Sequence, residues 1–176
     1  MRSPVDVTKL EAFMKEIGLL AKGPGKVYFT GGSTALMLGL REQTIDIDLK
    51  LDPEPLAIFE GIGRLKEKLS VSVELAAPDQ FLPALTGWRE RSIFIDRRGL
   101  VDFFHYDLYS QVLSKVLRGQ GTDLADAKGF FYYGKLDAAF LGKLFRQVVP
   151  EMKRYPAIDV DSFRRNLDAF VRSLAP

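Results

Sequence analysis

From Thr44 to Asp52 the chain alternates without a break, with Ile45, Ile47, Leu49 and Leu51 on one face and Asp46, Asp48, Lys50 and Asp52 on the other. That period of two fits a strand with one buried face and excludes a helix. It also sets two carboxylates, Asp46 and Asp48, on the same side, roughly 6.5–7 Å apart along the strand. Like charges on one sheet face repel unless something positive sits between them, and Mg²⁺ characteristically takes one or two carboxylates together with substrate phosphates. Taken alone, an Asp-x-Asp pair is also what any strand with a wet face produces.

The preceding residues make the pair more specific. Val27-Tyr28-Phe29-Thr30 is short, aromatic and β-branched, and it stops at Gly31-Gly32, as a buried strand followed by a tight turn does. Ser33 is expected to cap a short helix over residues 34–38. Gly31 and Gly32 would let the backbone approach a ligand, and the amides of Gly32, Ser33 and Thr34 would offer donors to a phosphate.

Around this segment the pattern is α-β-α-β-α-β. Ser3 and Pro4 are expected to open a helix carrying Leu10, Phe13, Met14 and Ile17. Pro53 and Pro55 precede a helix running to Leu69, and Val71–Leu75 reads as the next strand. After a loop from Ala76 to about Glu90, residues 93–95 and 100–104 flank Asp96-Arg97-Arg98-Gly99 as a hairpin. Helices are expected at about 107–118, 122–132, 136–149 and 161–174. The fold class is therefore α+β, a mixed sheet covered by helices, with an added hairpin and a C-terminal helical region. The expected division is a core over residues 1–106 and helices over 107–176 packed on it. Charge does not mark that boundary, since basic against acidic residues number 14 to 15 before it and 11 to 8 after it.

Composition narrows the chemistry. The chain has no cysteine and one histidine, His105, which excludes thiolate and His-rich metal sites and leaves oxygen ligands. A net charge of +2 over 176 residues does not announce a nucleic-acid or membrane partner. No run of about 18 apolar residues occurs, and the chain reads as cytoplasmic.

Gly31-Gly32-Ser33, a twelve-residue interval and then Asp46-Ile47-Asp48-Leu49 resembles the signature of the nucleotidyltransferase superfamily, the DNA polymerase beta-like fold. More loosely, Asp107-Leu108 through Lys115 to Asp123-Leu124-Ala125-Asp126 resembles bacterial abortive-infection-type nucleotidyltransferases, many of which belong to toxin–antitoxin systems. The resemblance implies transfer of a nucleoside monophosphate from an NTP to a hydroxyl of RNA, protein or a small molecule. It also implies two Mg²⁺ (or Mn²⁺) ions on three acids, and a cognate toxin or antitoxin as a partner. Asp46 and Asp48 match the acid pair. Glu74 is the first choice for the third ligand because it falls on the next strand, with Asp102 and then Asp96 as alternatives. The alternative to an enzyme is an antitoxin or regulatory protein that binds without turnover on the same fold.

Other residues carry two readings each. Lys115 borders the apolar arc of Leu108, Val112 and Val116, where it either reaches a triphosphate or covers apolar surface with its stem. Arg89, Arg91, Arg97 and Arg98 either contact nucleic-acid phosphates or pair with Glu90 and Asp96. Asp123 and Asp126 suit a helix N-terminus. Trp88 either stacks a base or plugs the sheet, and His105 is either a proton shuttle or packing at the end of the hairpin.

Overall fold

A computed structural model describes residues 3–174. By their internal contacts these form two compact units, one running up to Ala77 and resuming over Ser92–Tyr106, the other comprising Pro78–Arg91 and the chain from Asp107 onward. The expected division lies at 106/107, whereas residues 78–91 group with the C-terminal helices. Among the described residues no helix is long and apolar enough to cross a membrane.

The first unit has the expected order: α1 (Val7–Leu20), β1 (Gly25–Phe29), α2 (Gly31–Met37), β2 (Asp46–Leu51), α3 (Ile58–Lys68), β3 (Ser72–Glu74) and the hairpin β4 (Ile93–Arg98) and β5 (Val101–His105). The sheet runs β3-β2-β1-β5-β4. It is mixed: β2 is parallel to β3 and β1 to β5, while β1/β2 and β4/β5 are antiparallel.

Alternation decides which face is covered. Val27, Phe29, Ile47, Leu49, Val73, Val101 and Phe103 join Leu10, Phe13, Met14 and Ile17 of α1 and Ile58, Ile62 and Leu65 of α3 in one core. Each of these large side chains contributes about 1.5–3 kcal/mol on burial. Phe29 lies between Phe103 and Phe13, with ring centroids at 5.9 and 6.5 Å. The opposite face carries Asp46, Asp48, Lys50, Glu74, Lys26, Tyr28 and Asp102 by the same register.

Two local expectations are corrected. Ser3 and Pro4 do not open α1, because Val5 is buried in an antiparallel bridge with Thr44, which holds the backbone extended there. The cap falls to Asp6, whose carboxylate accepts from the Lys9 amide at 2.8 Å. Ile45 does not join the buried face and is 78% exposed, since β2 starts one residue later.

In the second unit, α5 (Leu108–Arg118), α6 (Asp123–Tyr133), α7 (Ala138–Val148) and α8 (Val160–Ser173) follow the four expected helices to within a few residues, and a short α4 (Trp88–Arg91) stands at the end of the expected loop. Asp107, Asp137 and Asp159 cap α5, α7 and α8 by accepting amides of the first turn. Residues 78–91 are held to these helices by specific contacts. Arg91 donates through Nε and Nη2 to both oxygens of buried Asp107 at 3.1 and 2.8 Å, and the Tyr155 hydroxyl donates to the Asp79 carbonyl at 3.3 Å.

Candidate active site

The site grows out of the junction between β1 and β2. Thr30 follows β1, and its amide donates to the Asp48 carbonyl at 3.0 Å while its hydroxyl donates to the Ala76 carbonyl at 2.8 Å. One residue thus ties the acid strand to the segment just past β3. Gly31 then turns the chain with φ of +54°, a backbone conformation costly for other residues. A Cβ placed on it would lie 2.8 Å from Asp48 Oδ2, so the Asp48 carboxylate rests directly against the turn.

Gly32 is required for a different reason: its Cβ would sit 2.1 Å from the Thr44 hydroxyl oxygen. Ser33 is not a cap. It lies inside α2, fully buried, and its hydroxyl accepts the Asp48 amide at 3.2 Å, so it positions the acid strand. The Ser33 and Thr34 amides both donate to the Thr30 carbonyl, at 3.2 and 3.3 Å. Two of the three amides expected to face a phosphate are therefore engaged in the first turn of α2 itself.

Asp46 and Asp48 are half-buried on the sheet face opposite Ile47 and Leu49. The parallel pairing with β3 puts Glu74 beside Asp48 and Ser72 beside Asp46. Neighbouring strands lie about 4.7–4.9 Å apart, so Glu74 is one strand spacing from Asp48 on the same face. Its side chain is exposed, and among the described residues no group of three or more His, Cys, Asp or Glu side chains is gathered closely enough to hold a metal ion.

The alternative third acids stand elsewhere. Asp102 shares the face but pairs with Lys26, two strands from β2, and it receives Arg97 through both oxygens at 2.5 and 2.8 Å. Those hydrogen bonds, outweighing burial, hold its carboxyl below the usual range. Asp96 pairs with Phe103, on the helix-covered face of the edge hairpin, and its carboxylate lies 2.6 Å from Arg98 Nε as an ion pair.

Lys115 is buried in the second unit, its ammonium 3.1 Å from Asp123 and 2.7 Å from Asp126. Arg118 also binds Asp123, at 2.6 Å. The two aspartates hold a buried ion cluster, beyond the helix-end role expected of them. Trp88 is buried with the Arg89 guanidinium 4.4 Å over its ring. The four arginines of residues 89–98 are divided: Arg97 and Arg98 pair within the first unit, while in the second Arg91 pairs with Asp107 and Arg89 stacks on Trp88. His105 is 5% exposed on the core face, its Nδ1 makes no hydrogen bond, and burial lowers its pKa to about 4.

One residue at the turn carried no mark in the sequence. Arg41, in the connection between α2 and β2, places Nη1 3.7 Å from the position of a Gly32 Cβ.

A family model described as nucleotidyltransferase of unknown function (DUF6036) matches residues 7–171. The chain belongs to this family. No curated protein and no solved structure matches it. Membership in a nucleotidyltransferase family is consistent with a transferase of phosphorus-containing groups. Two carboxylates on one face, one of them against the Gly31 turn, are hard oxygen donors of the kind that Mg²⁺ takes together with substrate phosphates.

Proposed function

We propose that this nucleotidyltransferase moves a nucleoside monophosphate from an NTP to an acceptor hydroxyl of RNA, a protein or a small molecule. Asp46 and Asp48 would hold Mg²⁺ or Mn²⁺, and Glu74 is the third acid. The observation that carries the reading is the same-face acid pair locked to the Gly31-Gly32 turn by Thr30 and Ser33.

When bound, the metal lowers the pKa of the attacking hydroxyl and stabilises the departing pyrophosphate. The chain supplies the positioning. Ser33 and Thr30 fix the backbone of Asp48 from both sides, so the carboxylate is set before substrate arrives and costs little reorganisation during the reaction. Gly31 leaves the approach to Asp48 free of a side chain. The acceptor oxygen then bonds to the α-phosphorus, pyrophosphate leaves with the electrons of the broken bond, and the hydroxyl proton passes to solvent.

A second reading follows from the exposure of Glu74 and the lack of a closed three-acid group among the described residues. On that reading the turn and acid pair bind a nucleotide without turnover, in the antitoxin or regulatory half of a two-component system. Incubation with each α-labelled NTP, Mg²⁺ or Mn²⁺, and cellular RNA and protein separates the two. Label transfer that Asp46→Asn abolishes supports the enzyme, and metal-dependent NTP binding with no transfer supports the binding protein.

A further inference from the structure

We infer that the groove between α7 and α8 is the docking surface for a second copy of this chain, with Arg146 of each copy pairing with the partner's Asp168 across a two-fold axis. The groove lies wholly within the second unit and is independent of the transferase reading. The two helices run antiparallel. Phe145 and Phe163 meet edge to face at 5.0 Å, and Ala138 and Gly142, early in α7, share the groove with Val171 and Arg172, late in α8. An opening of about 410 Å³ remains between the helices because the α7 wall is built from small residues. Gly142 carries no side chain, and a Cβ there would lie 3.3 Å from Arg146 Nη1, so the guanidinium borders the groove floor. Small residues one turn apart let the backbone of another helix come close, since the side chains at a contact set the distance between helix axes.

The charges say what fits there. Arg146 from α7 and Asp168 and Arg172 from α8 line the groove, all three exposed, and none makes a hydrogen bond or ion pair with another described residue. Arg146 and Asp168 thus stand on opposite walls of one groove without closing on each other. A groove suited to an acidic partner would carry cations alone. This one carries both members of an ion pair, which is what a two-fold contact requires: the surface must complement itself, so that Arg146 meets the partner's Asp168 and Asp168 meets the partner's Arg146. Arg172, one turn along α8 from Asp168, flanks the same carboxylate from its own chain. The two antiparallel pairs then pack face to face as four helices, covering the apolar floor that Ala138, Leu167 and Val171 give each groove.

The test is the mass of the full chain in solution, by light scattering and sedimentation equilibrium, for the unaltered protein, Arg146→Asp, Asp168→Arg, the two reversals combined, and Gly142→Leu. The unaltered chain should dimerise, and each single reversal, which sets like charges face to face at both symmetric contacts, should weaken the dimer about tenfold or more. The combined variant faces opposite charges again and should recover affinity to within about threefold of the unaltered chain. Gly142→Leu fills the groove and should leave a monomer with unchanged helix content by circular dichroism. A chain that stays monomeric at about 100 µM overturns the inference, whatever other polypeptide the groove then takes up. So does a dimer that neither reversal weakens, or a combined variant no tighter than the single ones. If Gly142→Leu does not fold, the exposed charge variants decide alone.

Discussion

Asp48 and Glu74 are direct partners in the parallel pairing of β2 with β3, one strand spacing apart on a shared face, whereas Asp102 reaches that face two strands away and is bound by Arg97. Register therefore ranks the three acids by their place beside the pair, and substitution can read out the ranking.

With transfer as the readout, Asp46→Asn and Asp48→Asn should each lower the rate by at least about 10²–10³-fold, the scale of losing one electrostatic stabiliser of the transition state. Glu74→Gln should cost about 10–100-fold, as expected of a group supporting a metal from outside a closed set. Asp102→Asn should leave the rate within about twofold. A Glu74→Gln variant as active as the unaltered chain would exclude that residue as the third acid.

The glycines separate by what surrounds them. Gly32→Ala meets the Thr44 hydroxyl at 2.1 Å and should destabilise by about 1–3 kcal/mol, while Gly63, in α3 with nothing within 4 Å, should tolerate alanine with a gain of about 0.5–1 kcal/mol. Urea midpoints at constant slope measure both changes.

Buried Lys115 lies against two carboxylates, so Lys115→Met should destabilise by about 3–5 kcal/mol by taking the ammonium from Asp126 and from Asp123, which keeps Arg118. Burial pushes Asp123 upward, but Arg118 and Lys115 together outweigh it and hold its carboxyl below the usual range. Its contribution is thus present above the unfolded carboxyl pKa and is lost as pH falls through the lower folded value. Acid unfolding of Lys115→Met should begin at higher pH than in the unaltered chain, followed by circular dichroism.

His105 has the opposite chemistry and a different window. Burial lowers its pKa from 6.5 to about 4, so between those values the unfolded chain binds the proton that the folded chain refuses. Stability should therefore be complete above about pH 6.5 and fall by about 3 kcal/mol as pH drops to 4. His105→Gln should flatten that slope in urea titrations. An imidazole proton shift titrating near pH 6.5 in the folded protein would contradict the buried neutral form.

Much of this was legible in the chain because it is local. The period of two in β2 placed Asp46 and Asp48 on one face, and the glycine, proline and aspartate punctuation set the C-terminal helices to within a few residues. What was not legible depends on pairing between distant segments. Ser33 reads as a cap from its neighbours, yet its hydroxyl serves Asp48, fifteen positions on. Val5 reads as helix entry and is drawn into a bridge with Thr44. Lys115 looks like a border lysine on its own helix, and only the packing of α5 with α6 reveals the two aspartates around it. Arg41 lies in irregular chain, where no periodicity marks a residue at all.

The threading of the chain between its two units has a consequence for inheritance. Residues 78–91 leave the sheet unit to join the helices, and Ser92–Tyr106 return to complete the sheet, so each unit is assembled from separated stretches. Neither can be acquired, lost or exchanged at a single splice: a cut after Tyr106 strands Arg91 without Asp107. Variation between relatives should therefore accumulate residue by residue within an arrangement passed on whole, and shuffling of its parts as modules would break both at once.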